Sequence, residues 1–158
     1  MNNLNKFKLF LNIKIMKKNL FMTGLLAFAS ANYLMAQDLK AKDVPAVVKS
    51  EFSKKYATAT KVSWEMEKGN FEANWGGKSG EDNASVFTSD GVFVEYVNAI
   101  LISSLPKSVV PYVKAHYRTA IKEAGKGIDA AGKTFYEAEI KGAKDVIFDQ
   151  DGKFIKID

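Results

Sequence analysis

The chain has 158 residues, 47% of them apolar, a formal charge of +5 and no cysteine. Without cysteine there is neither a disulfide nor a thiol to carry a lipid anchor, so a domain of this size is held by its core alone. The positive charge does not signal nucleic-acid binding, because all of the excess lies in the first 36 residues: removing Lys6, Lys8, Lys14, Lys17 and Lys18 leaves 18 basic residues against 18 acidic ones.

That leader reads as a secretory signal. Lys17 and Lys18 precede the apolar run from Leu20 to Ala29, a polar break at Ser30 to Asn32 follows, and small Ala36 stands before Gln37. Cleavage is expected after Ala36, and Met16 gives a more compact start than Met1. The apolar run is shorter than the roughly 20 residues a spanning helix needs, so no stable membrane span is expected after cleavage. A periplasmic or secreted location follows.

A lead-in at 37–43 opens the exported part. From Val44, apolar residues recur every fourth position (Val44, Val48, Phe52, Tyr56), which predicts a helix with one apolar face. The period then falls to two. Val62, Trp64 and Met66 alternate with Ser63, Glu65 and Glu67; a turn at Lys68-Gly69-Asn70 follows; then Phe71, Ala73 and Trp75 alternate with Glu72 and Asn74. A flexible loop at 76–83 leads to strands near 84–88 and 92–97, joined through Ser89-Asp90-Gly91.

The chain then repeats itself at an offset of 61, from Val44 to Leu105. Leu105, Val109, Val113 and Tyr117 carry a second helix, in which Pro111 requires a start near Ser108 or a bend. A weak strand at 121–124, a long connection at 125–133 and strands at 134–140, 144–148 and 153–157 complete the second copy. The expected fold class is α+β, a tandem repeat of one helix plus about four antiparallel strands, with the helices on one sheet face. The expected divisions are 1–36 leader, 37–43 lead-in, 44–97 first repeat, 98–104 linker and 105–158 second repeat.

Four patterns could carry chemistry. Gly127 to Thr134 fits the phosphate-loop expression G-x-x-x-x-G-K-[ST], but Phe135 to Ile140 alternates as a strand where that motif needs a helix, so a hairpin connection is expected and nucleotide binding is the remote alternative. Asp149-Gln150-Asp151-Gly152 is like the start of a calcium loop, yet no Glu can stand at its twelfth position before the chain ends. His116 is the sole histidine and is read as a solvated helix residue. Trp64, Trp75, Phe71, Phe87 and Phe93 have the spacing of core residues. With no catalytic constellation, cofactor or metal set in view, a non-enzymatic role is expected.

Alternation places Glu65, Glu67, Glu72, Asn74, Glu137 and Glu139 on the sheet face opposite Trp64, Ala73 and Ala138, facing water. These six form the expected partner-binding face, and a partner could also meet the loop at 76–83. The strand at 153–157, with its lysines, discourages edge pairing, and oligomeric state is left open.

Val44-Pro45 followed by an apolar helix ending in Lys54-Lys55-Tyr56, the strand Val62-Ser63-Trp64, Phe71-Glu72-Ala73 and the Asp-Gly turns at 90–91 and 151–152 resemble the PepSY-like family. Its members are also described as β-lactamase-inhibitor-like proteins of Bacteroidetes envelopes. The resemblance implies a protein-binding or inhibitory module whose partner is another extracytoplasmic protein, such as a hydrolase. A small-ligand or envelope-stress sensor is the alternative.

Overall fold

The computed structural model describes residues 37–142 and 144–158. The leader, its cleavage site and the choice between Met1 and Met16 lie outside the described residues. Strand β1 (Gln37–Leu39) is followed by helix α1 (Ala46–Lys55), strands β2 (Ser63–Glu67), β3 (Asn70–Trp75), β4 (Asn83–Phe87) and β5 (Phe93–Ile100), and a 3-10 turn (Ile102–Ser104). Helix α2 (Val109–Tyr117) and strands β6 (Glu123–Asp129), β7 (Thr134–Ile140), β8 (Lys144–Asp149) and β9 (Phe154–Ile157) complete the chain.

The nine strands form one antiparallel sheet in chain order, β1 to β9. This overturns the α+β expectation of two helix-plus-four-strand units. The structure is mostly β, with helices of only 10 and 9 residues set beside a single continuous meander. Continuity comes from β5, which runs to Ile100 and pairs with β6 from Glu95–Asp129 to Ile100–Ala124. The stretch read as a weak strand and a long connection is in fact β6, and the polar lead-in supplies β1, which pairs with β2.

Each helix buries one edge against the sheet. Val48 and Phe52 of α1 pack with Trp64, Phe71, Ala73 and Phe87. Val109 and Val113 of α2 pack with Ala124, Ala138, Ile140, Val146 and Phe148. The pleat carries both clusters on one face: Trp64 opposes Ala73, and Ser85 opposes Tyr96, which shares its side of β5 with Ile100, itself opposite Ala124. Phe52 meets Trp64 and Trp75 edge to face at 5.3 and 5.1 Å, so the aromatic residues are core, as their spacing predicts. Pro111 sits in the first turn of α2, where a backbone N–H has no helical partner to lose.

Three turns share one design. Thr88, Asp129 and Asp149 each donate their N–H to the carbonyl four residues on (Val92, Lys133, Lys153), and each accepts an N–H from the residue three on (Gly91, Gly132, Gly152). The side-chain oxygens of Asp129 and Asp149 also accept the N–H groups two and four residues ahead at 2.9 to 3.0 Å. The glycines hold φ of 83°, 79° and 76°, a left-handed geometry that glycine adopts without a Cβ penalty.

Candidate functional site

The face of the sheet turned away from the helices is an open trough of about 700 Å³. Its lining contains eleven carboxylates and two lysines, with neither a hydroxyl, a thiol nor an imidazole among the lining side chains. All six residues predicted for the partner-binding face, Glu65, Glu67, Glu72, Asn74, Glu137 and Glu139, line it.

Strand register explains the concentration of charge. Glu65 of β2 lies directly opposite Glu72 of β3, and Val86 of β4 carries the row on to Glu95 of β5. A second row crosses the other half of the sheet: Glu123 opposes Glu139, which opposes Asp145. Asp145 in turn exchanges backbone hydrogen bonds with Asp158. Like charges directly across a strand pair destabilise it. Compensation is sparse: Lys68 Nζ lies 3.1 Å from Asp158 and 3.3 Å from Glu67, Lys156 Nζ 2.5 Å from Asp158, and Lys122 Nζ 3.2 Å from Glu139.

Three of the six residues do not face open water as alternation implies, and the most enclosed is Asn74, which is buried. Glu72 and Glu137 are half-buried in the trough, and burial is the main reason each carboxyl is pushed up to about 8. Repulsion from Glu67 and Glu65 adds to the shift of Glu72, and repulsion from Asp145 and Glu95 to that of Glu137. Burial first, and neighbouring carboxylates next, also raise Glu65 and Asp145. Burial raises Glu95 as well, partly offset by Lys156. Asp158 moves the other way, lowered chiefly by the hydrogen bond from Lys156.

Sequence reading missed Glu95, Glu123, Asp145 and Asp158. Alternation within β5 and β8 would have found Glu95 and Asp145, since each lies out of phase with the helix-facing residues Tyr96 and Val146. Nothing local announces Glu123 or Asp158, which join the trough through pairing with distant strands. Glu81 and Asp82 of the 76–83 loop close one end of the trough, and Asn83 fixes the base of that loop by accepting from Tyr96 Oη at 2.7 Å and donating to the Trp75 carbonyl at 3.1 Å.

Gly127 to Thr134 spans the β6–β7 hairpin, where Asp129 organises the turn in place of a helix N-terminus. Asp149 uses its side chain in the same way, to cap the β8–β9 turn. His116 is exposed and stacks on Tyr112 at 3.9 Å. Among the described residues no group of three or more His, Cys, Asp or Glu side chains is arranged to hold a metal ion, and no helix is long and apolar enough to cross a membrane.

Residues 80–156 match the model of a family described as putative beta-lactamase-inhibitor-like, PepSY-like. No curated protein matches the sequence. The fold is similar to that of a solved structure described as a putative periplasmic protein from Bacteroides eggerthii, with 16% identity, a TM-score of 0.58, and coverage of 73% of this chain and 88% of that one. A DUF2874 family protein from Bacteroides uniformis is similar at 19% identity and a TM-score of 0.58, over 72% of this chain and 88% of that one. A BLIP-like protein from Bacteroides fragilis is similar at 16% identity and a TM-score of 0.52, over 72% and 85% of the two chains. The PepSY-like resemblance read in the sequence thus holds across residues 80–156, the part of the molecule that builds β4 to β9 and α2, and over that stretch the chain is similar to the putative beta-lactamase-inhibitor-like, PepSY-like family.

Proposed function

We propose that this protein is an exported, non-catalytic binding module whose acidic trough receives a basic segment of another extracytoplasmic protein. The observation that carries this reading is the register of carboxylates across the sheet. A fold does not need Glu65 opposite Glu72, or Glu123, Glu139 and Asp145 in one row, and departures from local stability rules of this kind concentrate at functional sites. A lysine- or arginine-rich segment would relieve the repulsion while gaining charge-assisted hydrogen bonds, and the field of the trough would steer its approach. Raised carboxyls can also serve proton transfer. Here the trough is open and its lining offers no hydroxyl, thiol or imidazole to work with the carboxylates, which favours binding over catalysis. Inhibition of a hydrolase is the narrower form of this reading, and the likeness to a BLIP-like fold supports it.

A photo-crosslinking side chain at Glu67, in the trough, should capture one dominant protein from the native envelope fraction, whereas the same group at Lys49 on α1 should not. Capture at Glu67 should be lost in the Glu72→Lys/Glu139→Lys variant. Equal capture from both sites, or capture indifferent to the charge reversals, refutes the assignment.

A further inference from the structure

The outward surface around α2 carries a patch of the opposite chemistry. Residues 101–122 contain Lys107, Lys114, Arg118 and Lys122 and no Asp or Glu. Lys122 reaches back to Glu139 on the sheet. Lys114 and Arg118 have no salt-bridge partner among the described residues. Val110, Lys114 and Arg118 follow one another at four-residue steps, so they run in line along the outer side of the helix. Beside that line Ile102, Val110 and Ile121 wall a shallow, mainly apolar hollow of about 650 Å³ that also takes in Lys114 and Arg118. Leu101, 75% exposed, stands next to Ile102 at its rim. Arg118 ends the helix in the left-handed region (φ 52°, ψ 35°), a conformation that costs a residue with a Cβ, and it lines the apolar hollow.

Exposed aliphatic side chains flanked by cations, with no acid in the segment, are complementary to a surface that is apolar beneath a layer of negative charge. From this complementarity we propose that the α2 face docks on an anionic phospholipid surface, with Leu101, Ile102 and Val110 entering the headgroup layer and Lys114 and Arg118 on the lipid phosphates. The carboxylate trough lies on the opposite face of the same sheet. Docking in this orientation keeps those carboxylates away from the lipid charge and leaves the trough open to solution. The proposal stands independently of what the trough binds.

Because the sequence has no cysteine, Ile102→Cys gives one attachment point for an environment-sensitive dye in the full chain, and Lys78→Cys in the 76–83 loop gives the control. Vesicles of phosphatidylcholine mixed with phosphatidylglycerol should raise and blue-shift the dye at position 102 but not at 78, and pure phosphatidylcholine should do neither. Lys114→Gln with Arg118→Asn, the latter chosen because Asn tolerates the left-handed region, should weaken the response about 25-fold at low salt, roughly five-fold per cation. Circular dichroism checks that the pair still folds. An unchanged dye signal on the mixed vesicles, an equal response to pure phosphatidylcholine, or a folded double variant that responds like the parent overturns the proposal.

Discussion

Glu72 and Glu137 are carboxyls that the native state prefers to keep protonated, and the consequence for stability has a definite sign. Each is raised from 4.5 to about 8, so between those values the folded chain holds protons that the unfolded chain has released. Stability is therefore greatest at the acid end of that window and falls as pH rises through it. Urea denaturation at pH 5 and pH 9 should show a loss of about 2 to 4 kcal/mol at the higher pH, allowing for the water that reaches an open trough. Glu137→Gln should match the parent near pH 4, exceed it by about 1 to 2 kcal/mol near pH 9, and flatten the profile; a variant equally destabilised at both pH values would contradict this. The side of the sheet on which these carboxyls lie was legible from alternation with Trp64, Ala73 and Ala138. Their depth was not, because it depends on what neighbouring strands contribute. Gly125, directly across from Glu137, has no side chain, and a Cβ built there would lie 3.2 Å from the Glu137 carboxylate and 2.6 Å from Val97.

The helices were legible because Val48, Phe52, Val109 and Val113 repeat at helical spacing and are all buried. Strand β6 was not, because Gly125, Lys126 and Gly127 have weak strand preference and the pairing that imposes extension comes from β5 on one side and β7 on the other. Packing over the glycines completes it. A Cβ at Gly127 would lie 2.1 Å from the ring of Phe135, its partner on β7, so the ring occupies the space a side chain would need. Gly127→Ala, which propensity alone would make mildly stabilising, should instead cost about 1 to 3 kcal/mol in chemical denaturation, because the ring must move out of a packed site. In the second core cluster, fully buried Phe148 contacts Tyr112 and Phe154, and Phe148→Ala should cost about 3 to 5 kcal/mol. The α+β expectation went astray at this scale: the repeat of helix and strand patterns is present in the residues, but side-chain periodicity does not reveal whether the last strand of one stretch pairs with the first strand of the next. β5 and β6 do pair, and the result is one sheet.

Across the whole molecule, near-balanced charge in residues 37–158 conceals a strong separation, with carboxylates gathered in the trough and an acid-free basic stretch around α2. A cationic ligand entering the trough lowers the raised carboxyls and so expels protons. Titration with an oligolysine peptide near pH 7, run in two buffers of different ionisation enthalpy, should show net proton release that falls with added salt and shrinks in Glu137→Gln. Heat independent of the buffer would place the peptide elsewhere. The order of the sheet has a kinetic consequence as well. Every strand pairs with its nearest strand in sequence, so each new hydrogen-bonded ladder closes only a turn or a short helical excursion. A chain threaded N-terminus first through a narrow passage can therefore add strands in the order in which they emerge, without waiting for a distant segment to complete a ladder and without a thiol oxidant to lock the product.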